Sequence, residues 1–376
     1  MIRIRRLLLM SLLGGWLPGT AQAQYLSFSF HPDAGNGGRI YASACSSCHG
    51  SDGRGTTEAL SGFEPPDSFP DFTRCDQTTS ELNNDYRAVI EYGGPARGFS
   101  PIMPAFSKAL SGADIDDAIA RLRQFCRERG WPRGELNLPR ALLTEKAYTE
   151  NEVVISTAAN VKGMPGDETH LIYEQRFGTS SQVEVDVPIL FGKQNDIWSG
   201  GFGDVALGVK HVVLSSLDTG SIVGVQGGFR FPSGDRARGF GSGTTTFEPF
   251  VAFDQLFRTD TFVQMQLGAE LPFDTGAAPD SVFFNSAVGQ SFAADHDLGR
   301  ILWSPMCELL MSRDLKSGAT ADWDILPQVQ VTVSHRQHIR VDLGLRVPVN
   351  DTSGRPIQVM FYALWDWQDG KFTEGW

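Results

Sequence analysis

The sequence is poor in lysine and histidine and has no long apolar runs. Seven lysines stand against 25 arginines, and seven histidines are spread over 376 residues. No apolar stretch reaches the ~20 residues that a membrane-spanning helix needs, which excludes a polytopic helical membrane protein. Net charge is −12: the first 23 residues carry +3, residues 24–146 carry −3 and residues 147–376 carry −12. With no basic face, nucleic acid is not a partner. No P-loop, Ser-His-Asp arrangement or metalloprotease motif occurs. What is present is 41 % hydrophobic and 20 % charged residues with 41 glycines, too apolar for a disordered chain. The length suits two or three domains.

Residues 1–23 read as an export signal. Arg3, Arg5 and Arg6 form a positive start, Leu7 to Leu17 an apolar core, and Ala21-Gln22-Ala23 a small-residue cleavage site. The mature chain is expected to begin at Gln24, beyond the inner membrane. No cysteine near the cut suggests a lipid anchor.

Of the five cysteines, two stand in Cys45-Ser46-Ser47-Cys48-His49. This C-x-x-C-H spacing is the attachment pattern of haem c. Cysteines three apart lie on one side of a helical turn and reach two vinyl groups, while the adjacent imidazole faces the iron. A redox dithiol would come with a thioredoxin-like βαβ pattern, and a zinc knuckle with a second ligand pair; neither is visible.

Gly37, Tyr41 and Cys45 recur every four residues, along one side of a helix entering the motif. Residues 24–146 hold one methionine, Met103, in Pro101-Ile102-Met103-Pro104-Ala105-Phe106. Its thioether suits the sixth position of an electron-transfer haem, and the prolines keep the loop from becoming helical. His31 is the alternative sixth ligand. Downstream, Ser111 caps a helix with Asp114, Asp116 and Asp117 early and Arg121 and Arg123 late, matching the helix dipole. Ile115, Ile119, Leu122 and Phe125 form its apolar stripe.

On these residues the segment 36–130 resembles the class I c-type cytochromes. The resemblance implies crossing first and last helices, one covalent haem c on Cys45 and Cys48, His49 and Met103 as iron ligands, and an exposed haem edge. Cys75 and Cys126 depart from many small cytochromes. In an oxidising compartment they are candidates for a disulfide, worth roughly 4 kcal/mol on the loop-entropy model.

From about residue 150 the pattern alternates with period two, as in Gln182-Val183-Glu184-Val185-Asp186-Val187. Twelve strands are read: 152–159, 168–177, 181–191, 201–214, 221–231, 244–257, 261–273, 282–293, 299–311, 321–333, 338–349 and 355–367. Most are long enough to cross a bilayer at a tilt. One face is apolar; the other is polar, with Glu184, Asp186, Gln264, Gln266, Glu270, Arg340, Asp342 and Arg346 as candidate lumen residues. Connections alternate long and short, which places the long loops away from both termini. Trp198, Trp303, Trp323, Trp365 and Trp367 fall near strand ends, as an interfacial girdle requires. His335 and His338 sit in a short turn and read as solvated.

The expected organisation is therefore a signal peptide (1–23), an all-α cytochrome c domain (24–146) and an antiparallel transmembrane β-barrel of about 12 strands (147–376). The competing reading of the last part is a soluble β-sandwich or packed barrel, leaving the protein soluble in the periplasm. The Gly201–Lys210 strand and Phe229-Arg230-Phe231-Pro232-Ser233-Gly234-Asp235 resemble outer-membrane barrels of phenol meta-pathway transport proteins. The whole chain resembles outer-membrane cytochrome–porin fusions. That resemblance implies electron transfer rather than enzymatic turnover, between a periplasmic electron carrier and a small-molecule or metal-ion redox substrate that enters through the lumen. The alternative is a transport channel for a small organic compound with the haem domain as sensor or plug. Paired lumen charges without selectivity are the simpler account of the inner face. Protein carrying haem, denatured without reductant, should show one alkylatable thiol, Cys307; three labelled thiols would show Cys75 and Cys126 to be unbridged.

Overall fold

The computed structural model describes residues 32–55, 69–194, 196–257, 260–293, 302–334 and 336–367. The expected export signal, the start at Gln24, His31 and His335 lie outside them.

The first part is helical. Helix α1 (Ala34–Ile40) starts at Asp33, whose carboxylate accepts from the amides of Gly35 and Asn36. It widens into a π-turn at Tyr41–Cys45 and resumes as α2 (Ser46–His49); π-turns inside helices often mark functional sites. After α3 (Cys75–Thr78) and α4 (Asn83–Tyr92), α5 (Gly112–Arg123) opens with a reciprocal capping box between Ser111 and Asp114. Helices α1 and α5 cross at Gly37, where a Cβ would stand 1.8 Å from the Asp117 carbonyl oxygen. The crossing is tied by Asn36 Nδ2 donating to Asp117 Oδ2 at 2.8 Å. The expected stripe of Ile115, Ile119, Leu122 and Phe125 is buried in one cluster with Tyr41, Phe72 and Ile90. The Cys75–Cys126 disulfide is formed, with Cα atoms 5.1 Å apart.

The second part is a closed antiparallel barrel of twelve strands. Its described strand segments, fourteen with two short side pieces, are in chain order β1 (Glu152–Lys162), β2 (Gly166–Phe177), β3 (Ser181–Gln194), β4 (Ile197–Phe202), β5 (Ala206–Ser216), β6 (Ser221–Arg230), β7 (Thr246–Leu256), β8 (Thr261–Pro272), β9 (Ser281–Gln290), β10 (Phe292–Ala293), β11 (Leu302–Asp314), β12 (Asp322–Thr332), β13 (Ile339–Pro348) and β14 (Ile357–Asp366). Consecutive strands pair around the ring, β9 joins β11, and β14 returns to β1. The short β4 and β10 pair with β3 and β11 and do not add to the circumference.

Two details differ from the expected strand map. The strand read as 201–214 is broken between β4 and β5. Opposite the break stands Pro188, which has no amide to give to a ladder, and a Cβ at Gly203 would meet Leu190 and Pro188 side chains within 2.8 Å. Asp204, at the break, accepts from Gly234 N and from Ser242 N and Oγ, which folds the 231–245 loop onto it. The first connection, expected to be long, is only Gly163–Pro165, because β1 and β2 pair further than their sequence alternation indicates.

Outward-facing positions form an apolar belt that includes Ile155, Val183, Leu207, Val225, Leu267, Leu309, Leu343 and Phe361, all exposed. Trp198 and Trp303 are exposed near strand ends as expected, but Trp367 is buried, stacked on Tyr173 with ring centroids 6.0 Å apart. The helical part lies against the short-turn end, where both barrel termini emerge. Ser180 Oγ donates to the Gly130 carbonyl at 2.8 Å, and Arg176 covers the Trp131 ring at 4.6 Å.

Residues 134–151 do not continue the helical domain. They form an irregular strap inside the barrel, and the expected boundary at 146/147 falls within it. Leu136, Ala147 and Tyr148 are almost completely buried. The strap packs in three places, among them Leu138 and Ala141 on Phe262 and Met306, and Leu142 on Leu326 and Tyr362. Apart from the 3-10 turn Gly134–Leu136 it has no regular structure, and barrel side chains take up much of its backbone hydrogen bonding. Leu142 N donates to Gln328 Oε1 (3.0 Å), Thr144 N to Glu308 Oε2 (2.6 Å), Ala147 N to Asp254 Oδ2 (2.8 Å) and Glu150 N to Gln182 Oε1 (2.6 Å). Tyr362 OH donates to the Arg140 carbonyl at 2.7 Å. Arg140 reaches Glu152 and Glu174 at 2.7 Å each. Arg140→Met leaves these two carboxylates buried without their cation and should cost about 3–5 kcal/mol. A correspondingly lower temperature for the loss of the compact barrel form on electrophoresis checks it; an unshifted midpoint would refute the role.

Candidate haem site

The residues expected to carry chemistry converge in the helical part. Cys45 closes the π-turn, and Cys48 and His49 follow on α2. Cys45 and Met103 pack on the same apolar cluster of Tyr41, Phe72, Ile90, Ile115 and Phe125. Met103 lies in a non-helical loop, as its prolines require. Neither Cys45 nor Cys48 is bridged to another cysteine.

Local structure holds the motif. Tyr41 OH donates to the Gly50 carbonyl at 2.7 Å, and Gly55 N donates to the His49 carbonyl at 2.9 Å. The His49 ring stacks on Phe69 (centroids 5.0 Å apart, 9° between planes) and tilts against Phe72 at 5.1 Å. These aromatic partners escape sequence reasoning, since Phe69 and Phe72 follow no spacing rule relative to the motif. Burial pushes the imidazole down to about 4 and, with the nearby Cys48, the Cys45 thiol up to about 11. His49 is thus neutral at physiological pH, the form that ligates iron. Its Nδ1 is buried without a hydrogen-bond partner.

Two thiols three apart, a half-buried neutral imidazole beside them, and a thioether that shares an apolar cluster with Cys45 are a donor set that fits haem c. Cys45 and Cys48 would hold the porphyrin, His49 and Met103 the iron. His31, the alternative sixth ligand, lies outside the described residues.

The candidate lumen residues face inward, and most are paired. His170 Nδ1 stands 2.8 Å from Asp186 Oδ2. Gln264 Nε2 donates to the Pro139 carbonyl at 3.1 Å, and Gln266 Oε1 accepts from Glu145 N at 3.3 Å. Arg340 pairs with Asp366 at 2.9 Å and Arg346 with Asp324 at 2.8 Å, which Arg355 also meets. Arg230 bridges Glu248 and, at 3.3 Å, Glu270. His338, read from sequence as solvated, is buried with Nδ1 2.5 Å from Asp366 Oδ1.

The inner face is not a water-filled bore. A cavity of about 390 Å³ occupies the barrel interior beyond the strap, on the side away from the cytochrome. Its wall includes Glu184, Arg230, Glu248, Glu270 and Arg346, and Leu143 and Glu145 of the strap line it too. The strap stands between this vestibule and the cytochrome, across the route by which a small substrate was expected to reach the haem. Carboxylate oxygens of Glu145, Glu174 and Glu184 lie within 4.8 Å of one another. Arg140 (3.1 Å from Glu145, 2.7 Å from Glu174) and Lys210 (3.5 Å from Glu145) supply the positive charge there, so the trio is part of an ion-pair network.

Comparisons with known proteins touch both parts of the chain. Residues 32–120 match the family model described as cytochrome c oxidase, cbb3-type, subunit III, so the N-terminal part is a cytochrome c domain, and such domains bind haem. Among solved structures, the chain is similar to the KdgM porin (9 % identity, 57 % of this chain and 99 % of that one, TM-score 0.39). It is also similar to the NanC porin (10 %, 57 % and 99 %, TM-score 0.41) and to an outer membrane channel from Pseudomonas putida F1 (10 %, 61 % and 100 %, TM-score 0.42). No curated protein matches the chain. Residues 32–120 are thus a cytochrome c domain, and a closed twelve-stranded antiparallel barrel follows it.

Replacing Met103 by alanine should remove the far-red sulfur-to-iron absorption and lower the midpoint potential, because thioether ligation raises it. Spectroelectrochemistry decides: an unchanged potential would strike Met103 from the ligand set.

Proposed function

We propose that this chain is a monohaem c-type cytochrome–porin that transfers electrons at the outer membrane. The observation that carries the reading is the convergence of Cys45 and Met103 on one apolar cluster beside a half-buried His49 stacked on Phe69. When bound, the haem supplies a one-electron iron couple. The chain's own residues do the rest. Cys45 and Cys48 would hold the porphyrin, while Phe69 and Phe72 orient the imidazole and the apolar cluster excludes water. With His49 and Met103 both on the iron, no position is left open for peroxide, so the protein is a carrier rather than an enzyme.

The apolar belt supports a bilayer around the barrel, since an outward apolar band with polar residues inside is the pattern of outer-membrane barrels. An exposed apolar surface of that extent does not persist in water. The cytochrome lies at the short-turn end, which in such barrels is periplasmic. There it exchanges electrons with a periplasmic carrier. A small-molecule or metal-ion redox substrate is held on the other side of the strap, in the vestibule.

One observation favours the alternative of a transport channel for a small organic compound: the strap fills the bore as plugs do in larger outer-membrane transporters. Proteoliposomes separate the two readings. Electron transfer predicts that a small impermeant donor outside reduces the haem, that a soluble c-type carrier on the cytochrome side is reduced in turn, and that no porin-like ion conductance appears. Steady conductance without carrier reduction would establish the channel instead.

A further inference from the structure

We propose that Arg336, a residue of the barrel, is a positioning residue for the cytochrome's methionine loop. The inference rests on Met103 being the sixth iron ligand and adds that the barrel rim holds that ligand in place.

On the barrel side, Arg336 sits in the turn between β12 and β13. The turn is braced from within: Ser334 Oγ accepts from His338 N at 2.8 Å and from Ile339 N at 3.0 Å. His338 is in turn fixed to Asp366 at 2.5 Å. The guanidinium is therefore presented by a rigid support.

On the cytochrome side, it meets the loop that carries the ligand. Its carbon lies 4.7 Å from the centroid of the Phe99 ring, and its NH2 donates to the Gly98 carbonyl at 3.5 Å. Gly98 closes the 3-10 turn Gly94–Arg97 in the left-handed region, φ +70°, which Arg97 anchors to Asp85 at 2.8 Å. From Phe99 the backbone leads directly to the ligand. Phe99 N donates to the Gly94 carbonyl (2.9 Å), and Gly94 N donates to the Met103 carbonyl (3.0 Å). The loop has no slack: a Cβ on Gly94 would stand 2.2 Å from the Ser100 carbonyl oxygen and 3.3 Å from Met103 Cβ. A displacement of Phe99 is thus carried to the Met103 backbone.

An external ligand enters the sixth position only while the sulfur is off the iron, so its binding rate reports how often the loop lets go. The test uses the full-length haem-bearing protein in detergent with Arg336→Ala, Arg336→Lys, Phe99→Leu and the double variant Arg336→Ala/Phe99→Leu, and imidazole as the probe of the ferric state. Losing the cation from the ring should speed imidazole binding about fivefold and lower the midpoint potential. Phe99→Leu, which leaves the barrel untouched, should do the same. The double variant should go no further than either single one, and Arg336→Lys, which keeps a cation over the ring, should restore most of the wild-type rate. Wild-type imidazole kinetics and potential in both Arg336→Ala and Phe99→Leu would overturn the proposal while leaving Met103 as the ligand. Absence of the sulfur-to-iron band from the wild-type protein would overturn the ligation on which it rests.

Discussion

The structure depends on a mismatch of size. Eight strands make a barrel whose interior side chains can fill, and sixteen or more leave an open channel; twelve fall between. Here the space is taken by a chain segment without regular structure, and such a segment can be buried only if each of its amides finds an acceptor. The acceptors include Gln328, Glu308, Gln266, Asp254 and Gln182, each on a different strand. Glu308 receives Thr144 through both backbone and hydroxyl. The polar inner face and the strap therefore require one another. Without the strap, the face would be a lining of unsatisfied carboxylates and amides; without that face, the strap could not leave water.

The outer face follows a different rule. Its apolar residues, among them the stacked pair Phe191 and Trp198, stay exposed, so the same period-two alternation that builds the interior also produces a surface suited to lipid. The cytochrome is held to this body by short contacts at the turn end and by covalent continuity. The strap begins eight residues after Cys126, which the disulfide fixes to Cys75, and runs straight into β1.

What was legible in the sequence follows from these rules. Strands announce themselves because alternation is imposed by geometry, and the map failed where Pro188 and Gly203 interrupt the ladder, where Ser291 parts β9 from β10, and where pairing outruns the pattern at Gly163. The proposed haem residues stand out in the sequence because covalent attachment would demand fixed spacing, and Met103 because it stands alone among residues 24–146. The strap was not. Its residues, Leu136, Leu138, Ala141, Leu142, Ala147 and Tyr148, follow neither helical nor strand periodicity, and their apolar content was the one signal available. The inner polar residues misled for a related reason. A glutamate that faces water and a glutamate that accepts a buried amide leave the same mark on an alternating pattern. His338 and Trp367 were misplaced likewise, since proximity to a turn says nothing about burial.

The strap also bears on the choice between carrier and channel. A channel needs the strap to leave the bore at an appreciable frequency. Leaving separates Arg140 from Glu152 and Glu174, and breaking a buried pair of this kind costs about 3–5 kcal/mol. At about 1.4 kcal/mol for each factor of ten, that contact alone holds an emptied bore to roughly one molecule in a hundred or fewer. The Lys146–Glu150 pair and the Glu308 clasp act in the same direction. Both ends of the strap are tethered, one by the disulfide-closed helical domain and the other by β1, so it cannot slide out along its own axis. A device built this way separates two aqueous spaces while keeping them mechanically joined, which suits the passage of electrons between a vestibule and a haem better than the passage of molecules.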